Sequence, residues 1–131
     1  MAIRNRHFFV AIVDDDAGVR RAIQNLLSSD GFRTRGFSSA EQFLRSRDGR
    51  RAGCLILDVQ LPRMSGLALQ RDLQAQGSTI PVILVTAAGV DPGGRRRQRA
   101  RAGTLAVLAK PFDPERLLQL VRSVFEAQRA P

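Results

Sequence analysis

The sequence predicts an α/β fold: a doubly wound parallel sheet of five strands with helices on both faces. Short apolar segments, typical of strands buried on both faces, alternate with segments whose apolar residues recur at helical spacing. This alternation is typical of a parallel sheet, because each crossover helix returns the chain to the same edge. The chain has 131 residues, of which 44% are hydrophobic and 25% charged. This size and composition predict a single domain over residues 1–131.

Two strands, each followed by a helix, are predicted in the first part of the chain. The apolar run Phe8–Val13 predicts the first strand, and Arg33–Phe37 predicts a short second strand. Ser38, with Glu41 three residues later, is typical of a capping box, so a helix carrying Phe43 is expected to begin there. The helix between the two strands carries apolar residues at helical spacing: Val19, Ile23, Leu26 and Leu27.

Three more strands and two helices are predicted in the rest of the chain. Cys54–Leu57 and the β-branched segment Val82–Thr86 predict strands on either side of a helix at Leu67–Leu73. Leu105–Leu108 predicts the fifth strand. The last helix is expected to have Asp113 as its N-cap and to bury one apolar face, formed by Leu117, Leu118, Val121, Val124 and Phe125.

An arginine-rich segment, residues 91–101, stands where a helix would precede the fifth strand. From Asp91 to Arg99 its one apolar group is the ring of Pro92, and its arginines repel one another at i,i+4 spacing. We therefore predict that Asp91 to about Gln98 is irregular or the most mobile part of the fold, and that any helix there is short and starts late. With a net charge of +9, nucleic-acid binding is the alternative function, through Arg95, Arg96, Arg97, Arg99 and Arg101. It is the weaker interpretation, because charge runs are usually solvated and the chain has no Trp or Tyr to stack on bases.

Residue counts exclude several kinds of site. The single cysteine, Cys54, excludes an internal disulfide, and the single histidine, His7, leaves too few ligands for a zinc site of His and Cys. No glycine-rich stretch precedes Lys110, the one lysine, which excludes a P-loop. The first apolar run is too short for a signal peptide or a membrane span. We therefore expect a cytoplasmic protein that does not contact a membrane.

Polar residues stand at the carboxyl ends of four predicted strands: Asp14, Asp15, Asp58, Thr86 and Lys110. Because these ends share one edge of a parallel sheet, we expect the five side chains to lie together. Neighbouring carboxylates repel unless they protonate or bind a cation, and oxygen ligands suit Mg²⁺. Such a cation would hold a phosphoryl group against a carboxylate nucleophile. Asp58, alone on a central strand, is the best candidate for that nucleophile.

Each of these residues alone also has an ordinary structural explanation. An aspartate that follows a strand is usually a helix N-cap, and we expect that role for Asp16. A hydrolase with an aspartyl nucleophile on the first strand is a second alternative, which would explain Asp14 and Asp16. It gives no role to Asp58 or to the loop from Pro62 to Gly66, so the combined pattern favours a phosphoacceptor.

The complete set of motifs resembles the receiver domain of two-component response regulators, from about Phe8 to Phe125. The matching segments are Val13–Asp16, Asp58–Gly66, Val85–Ala87, Ala102–Gly103 and Lys110–Phe112. The details at Ser39–Leu44 and Thr86–Gly89 look most like receivers of transcription factors with a LuxR-type output domain. The resemblance implies a flavodoxin-like sheet with strand order 2-1-3-4-5, and this chain is expected to contain no output domain.

The resemblance also implies a role for each strand-end residue. Asp58 would be the phosphoacceptor, and Asp14 and Asp15 would hold Mg²⁺ together with Asp58 and the main-chain carbonyl of Gln60. Thr86 and Lys110 would contact the phosphoryl group. The Lys110–Pro111 peptide bond is expected to be cis, because the turn must direct the lysine back over the strand ends.

The implied partners are a sensor histidine kinase, which donates the phosphoryl group, and a downstream output domain or protein. A phosphorylation-linked dimer is a further expectation. The protein would not be an enzyme, apart from self-dephosphorylation at most. It would signal through the face formed by the arginine-rich segment, the fifth strand and the last helix.

The sequence departs from the family on that output face. Val107, three residues before the lysine, occupies a position where the family has an aromatic switch residue. The arginine-rich segment, which includes Arg95, Arg96 and Arg97, lacks the apolar residues that would dock a helix on the sheet. Val107 is too small to act as a ring switch, so we expect activation to order this segment instead.

Overall fold

Strands and helices alternate along residues 7–87 and 103–129, the part of the chain that the computed structural model describes. The elements in this part are β1 (Phe9–Val13), α1 (Ala17–Ser29), β2 (Arg33–Phe37), α2 (Ala40–Arg45), a 3₁₀ turn (Gly49–Arg51), β3 (Cys54–Asp58), α3 (Gly66–Ala75), β4 (Val82–Thr86), β5 (Thr104–Ala109) and α4 (Pro114–Arg129). Every predicted element in this part is present. The arginine-rich segment, with Arg95, Arg96 and Arg97, lies outside the described residues, so its predicted irregularity stays a prediction.

The five strands form one parallel sheet in the order β2-β1-β3-β4-β5, which confirms the predicted fold class and strand order. Register places the carboxyl ends of the strands side by side. Val13 pairs with Leu57, Asp58 pairs with Val85, and Thr86 pairs with Ala109. The polar residues at the strand ends therefore share one edge of the sheet, as parallel topology requires.

Helices cover both faces of the sheet because the strand side chains alternate between two hydrophobic clusters. On one face, Ile12 and Ile56 pack with α1 and α4. On the other face, Leu55 and Leu57 pack with α2 and α3. All five residues of β3 and all five of β4 are buried, which explains their nearly continuous apolar sequences.

The helix caps agree with prediction in α1 and differ in α2. Asp16 caps α1, because its Oδ1 accepts hydrogen bonds from the main-chain N–H groups of Gly18 at 2.8 Å and Val19 at 3.1 Å. The prediction for α2 is wrong by one residue. Its N-cap is Ser39, whose hydroxyl accepts from the N–H of Gln42 at 3.0 Å. The Gln42 side chain accepts a hydrogen bond from the Ser38 N–H at the start of the helix. Glu41 instead accepts one from the Met64 N–H, in the loop before α3.

The last helix, α4, is tied to α1 by an arginine. Arg122 donates two hydrogen bonds to the Asp30 carboxylate, at 2.8 and 3.0 Å, and a third to Glu115 at 3.0 Å. These hydrogen bonds raise the pKa of the guanidinium above its ordinary value.

Within residues 7–87 and 103–129, no helix combines the length and the apolar character needed to cross a membrane.

Candidate functional site

Three carboxylates meet at the carboxyl edge of the sheet. Asp14, Asp15 and Asp58 each offer an oxygen atom, and these atoms lie within 4.8 Å of one another. Asp14 and Asp58 are buried, with 3% and 6% of their surfaces exposed, whereas Asp15 is exposed. The structure therefore brings together the three acidic side chains that the sequence analysis placed at this edge.

Local structure directs Asp14 into the cluster. This residue directly follows β1, and its Oδ1 accepts a hydrogen bond from the N–H of Asp16 at 2.9 Å. Its main-chain carbonyl accepts a hydrogen bond from the Arg20 guanidinium at 2.7 Å. Sequence reasoning did not single out Arg20, because an arginine on an amphipathic helix looks like an ordinary solvated charge.

Lys110 offsets part of the negative charge of the cluster by pairing with two of its carboxylates. Its Nζ lies 3.1 Å from Asp14 Oδ2 and 3.5 Å from Asp58 Oδ2. Its main-chain N–H donates to the carbonyl of Thr86 at 2.7 Å, and the Lys110–Pro111 peptide bond is cis, as expected. Burial lowers the pKa of the ammonium, but the hydrogen bonds and charges of the two aspartates raise it by more, so the pKa lies above its ordinary value.

The Asp58 carboxylate is held from two sides. Its Oδ1 accepts a hydrogen bond from the Gln60 N–H at 2.9 Å, and its Oδ2 faces Lys110. Burial raises the pKa of this carboxyl group, and the negative charge of Asp14 raises it further. The hydrogen bond from Gln60 and the charge of Lys110 act in the opposite direction but do not cancel the rise. The ionised form of Asp58 therefore carries an electrostatic cost in the folded protein without a bound cation.

Asp58→Asn is expected to stabilise the fold at pH 7, because it removes a buried carboxylate whose pKa is raised in the folded protein. Asp58 has a higher pKa in the folded protein than in the unfolded chain, so stability is lost as the pH rises through the folded-state value. The gain from the substitution should shrink toward zero as the pH falls to the ordinary carboxyl value of 3.8. Urea unfolding followed by circular dichroism, at pH 7 and pH 4 with a chelator present, measures both differences. A gain that is equal at both pH values contradicts this explanation.

Thr86 and Val107 occupy neighbouring strands with different surroundings. Thr86, fully buried, ends β4 one residue beyond the partner of Asp58. Val107 lies within β5, is 8% exposed and packs in the cluster on the α2 and α3 side of the sheet. Its position on the output face stays a prediction, as do the roles of Arg95, Arg96 and Arg97.

The loop between β3 and α3 (residues 59–65) lies directly against the predicted phosphoacceptor. A Cβ atom on Gly66 would lie 2.2 Å from the main-chain oxygen of Asp58, so a side chain is excluded there. The Met64 N–H donates to Glu41 Oε2 at 3.3 Å, which connects the loop to α2. Its spacing from Ser38 predicts a capping-box role for Glu41, but in the structure Gln42 makes the hydrogen bond back to the start of α2. No local pattern indicates the contact of Glu41 with a loop 23 positions away.

The donor atoms of this cluster fit Mg²⁺. All three side chains offer hard carboxylate oxygens, and no sulfur or imidazole ligand belongs to the group of residues that the structure brings together here. Asp15 is exposed, which leaves the cluster open to the water molecules that Mg²⁺ usually retains. The structure places the Gln60 N–H at Asp58, and the ligand role of the Gln60 carbonyl stays a prediction.

Known proteins have sequences similar to this one. A family model described as the response regulator receiver domain matches residues 10–122. The response regulator protein TmoT of Ectopseudomonas mendocina is 40% identical over 117 residues, covering 89% of this chain and 52% of TmoT. TodT of Pseudomonas putida is 38% identical over 122 residues, covering 93% of this chain and 53% of TodT. The chain therefore spans about half the length of the curated relatives it matches.

Solved structures share the fold. The response regulator StyR superposes with a TM-score of 0.79 at 37% identity, covering 92% of this chain and 61% of that chain. The crystal structure of FixJ-N gives a TM-score of 0.79 at 29% identity, covering 93% and 96%. The strand order, the acidic cluster beside a lysine and the match over residues 10–122 all agree. The chain belongs to the response regulator receiver domain family.

Proposed function

We propose that the protein accepts a phosphoryl group on Asp58 from a sensor histidine kinase and acts as a switch in a two-component phosphorelay. The observation that carries this proposal is the position of Asp58, whose carboxylate lies among Asp14, Asp15 and the Lys110 ammonium. Membership in the receiver family supports this function over a hydrolase with its nucleophile on β1.

The transfer reaction is a nucleophilic substitution at phosphorus. An oxygen of the Asp58 carboxylate forms a bond to the phosphorus atom of the donor, and the P–N bond of a kinase phosphohistidine breaks. The imidazole leaves with the electron pair of that bond. The Gln60 N–H orients the attacking group, because it donates a hydrogen bond to Asp58 Oδ1.

The remaining residues of the site would manage the charge of the phosphoryl group. Asp14, Asp15, Asp58 and the Gln60 carbonyl would hold Mg²⁺. The bound ion would neutralise phosphoryl oxygens and orient the group. The Lys110 ammonium would pair with a phosphoryl oxygen, and the hydroxyl of Thr86 would donate a hydrogen bond to another.

The wider role follows from the same proposal. The protein would act as a kinase substrate and not as an enzyme, apart from self-dephosphorylation. It would pass the signal to an output domain or protein, with a phosphorylation-linked dimer as one route. Its relatives include the transcriptional regulatory protein FixJ of Bradyrhizobium diazoefficiens, 32% identical over 114 residues, so transcription is the output we favour. The cytoplasmic location and the LuxR-type output stay predictions.

Chemical trapping of the phosphorylated residue tests the proposal on the unaltered protein. Acetyl phosphate with Mg²⁺ should form an acyl phosphate, which borohydride reduces so that the labelled aspartate becomes homoserine. Peptide mass spectrometry should find this change at position 58, and omission of acetyl phosphate or addition of a chelator should remove it. Homoserine at position 14 or 15 and not at 58 contradicts the assignment.

A further inference from the structure

We propose that Glu41 is a positioning residue for the phosphorylation site. It would hold the β3–α3 loop so that the Gln60 N–H can donate to Asp58 and the Gln60 carbonyl can bind the metal ion. This inference rests on the proposed function of Asp58. Glu41 lies in the first turn of α2 and outside the acidic cluster. Its influence would be exerted through the loop alone.

Hydrogen bonds hold both ends of the loop in place, one to the Asp58 side chain and one to the main chain. The Gln60 N–H donates to Asp58 Oδ1 at 2.9 Å, and the Gly66 N–H donates to the Val59 carbonyl at 3.0 Å. Gln60 therefore has two tasks at once, since its N–H orients the nucleophile and its carbonyl is the predicted metal ligand. A shift of the loop would disturb both.

The middle of the loop adopts an unfavourable backbone conformation. Arg63 has a φ of 63°, in the left-handed region that non-glycine residues rarely occupy. Such a conformation persists where neighbouring contacts hold it. Glu41 contacts both Arg63 and Met64: its Oε2 accepts from the Met64 N–H at 3.3 Å and lies 3.9 Å from the side-chain Nε of Arg63. The Arg63 side chain is 75% exposed, so its charge contributes little and the main-chain hydrogen bond is the stronger contact.

The carboxylate of Glu41 is unusually placed for an ordinary surface residue. Its side chain is 28% exposed, yet its Oε1 is shielded from solvent without a hydrogen-bond partner among the described residues. A shielded carboxylate oxygen is costly, which a residue serving only as a solvated charge avoids. Gln42 performs the return hydrogen bond at the start of α2, so capping does not explain Glu41 either.

Two neutral substitutions of similar size separate positioning from charge. Glu41→Gln keeps an oxygen that accepts the Met64 N–H, whereas Glu41→Met fills the same space with no such acceptor. Substitution of a residue that orients the ligands of a metal ion typically weakens the protein's affinity for that ion by about 10- to 100-fold. We expect about a 10-fold weaker affinity for Mg²⁺ in Glu41→Met, and at most about a threefold change in Glu41→Gln. Titration of the metal-free proteins with MgCl₂, followed by NMR, measures both.

A second measurement needs neither metal nor phosphoryl donor. In metal-free protein the Met64 amide should exchange with solvent faster in Glu41→Met than in wild type, and Glu41→Gln should restore its protection. Glu126→Gln, on the far end of α4, removes the same charge away from the loop and should leave both measurements unchanged. Thermal unfolding of each variant shows whether the fold is retained.

Equal Mg²⁺ affinities for Glu41→Gln and Glu41→Met overturn the proposal, because the loss of charge would then explain the whole effect. An unchanged Met64 exchange rate in Glu41→Met overturns it as well. Failure of the proposed function has a different signature. In that case borohydride trapping finds no homoserine at position 58 in wild type, while the amide exchange of Met64 still reports on Glu41.

Discussion

Asp58→Asn is expected to abolish phosphorylation of this protein. An amide is a far weaker nucleophile than a carboxylate, and the other two carboxylates of the cluster belong to the segment after β1, so neither occupies the position of Asp58 at the end of β3. Labelling by acetyl phosphate with Mg²⁺, measured as the mass of the intact protein, should fall by at least about 100-fold, as expected for loss of an essential nucleophile. The chain has no Trp or Tyr, so mass spectrometry is a better measurement than intrinsic fluorescence.

Asp72→Asn is the matched control for this experiment. Asp72 is exposed on α3 and lies outside the acidic cluster. Its substitution by Asn therefore makes the same change of charge and shape at a distance from the site. It should be labelled as well as wild type. Labelling of Asp58→Asn at the wild-type level would refute the assignment, and reduced labelling of both variants would indicate a general effect of charge.

Gly66→Ala should cause a large loss of stability. The added Cβ would lie 2.2 Å from the Asp58 oxygen and 2.9 Å from the Val59 Cα, and both are main-chain atoms that cannot rotate away. Helix α3 would have to move away from the sheet, at a cost of about 3 kcal/mol. The melting temperature measured by circular dichroism should fall by roughly 10 °C. Alanine is otherwise favoured over glycine in a helix, so the direction of this effect identifies the steric contact as its cause.

Gly77→Ala provides the comparison for backbone strain without a clash. Gly77 has a φ of 78°, and a Cβ there would meet no heavy atom within 4 Å. It should cost about 1–2 kcal/mol through the left-handed conformation alone. A Gly66→Ala variant that melts within about 3 °C of wild type, or that is more stable than Gly77→Ala, contradicts the steric argument.

Local sequence patterns were enough to predict the order of the elements and the residues at the carboxyl edge of the sheet. Strands buried on both faces have nearly unbroken apolar sequences, so β3 and β4 can be predicted without a structure. Parallel topology places the carboxyl ends of all five strands at one edge, so the sequence alone predicts that Asp14, Asp58 and Lys110 lie together there. The Asp16 cap was equally predictable, because it depends on neighbours two and three positions away.

The contacts that hold the site together join residues far apart in the sequence, so no local pattern predicts them. Lys110 reaches Asp14 across 96 positions of sequence, and its pairing with two carboxylates at once depends on the packing of β5 against β4. The N-cap of α2 is Ser39 and not Ser38, because the Ser39 hydroxyl accepts from the Gln42 N–H, and Glu41 bonds a distant loop. Local patterns specify what each residue can do. A polar side chain can bond several kinds of partner. The partner that it bonds depends on which groups the folded chain brings within hydrogen-bond distance.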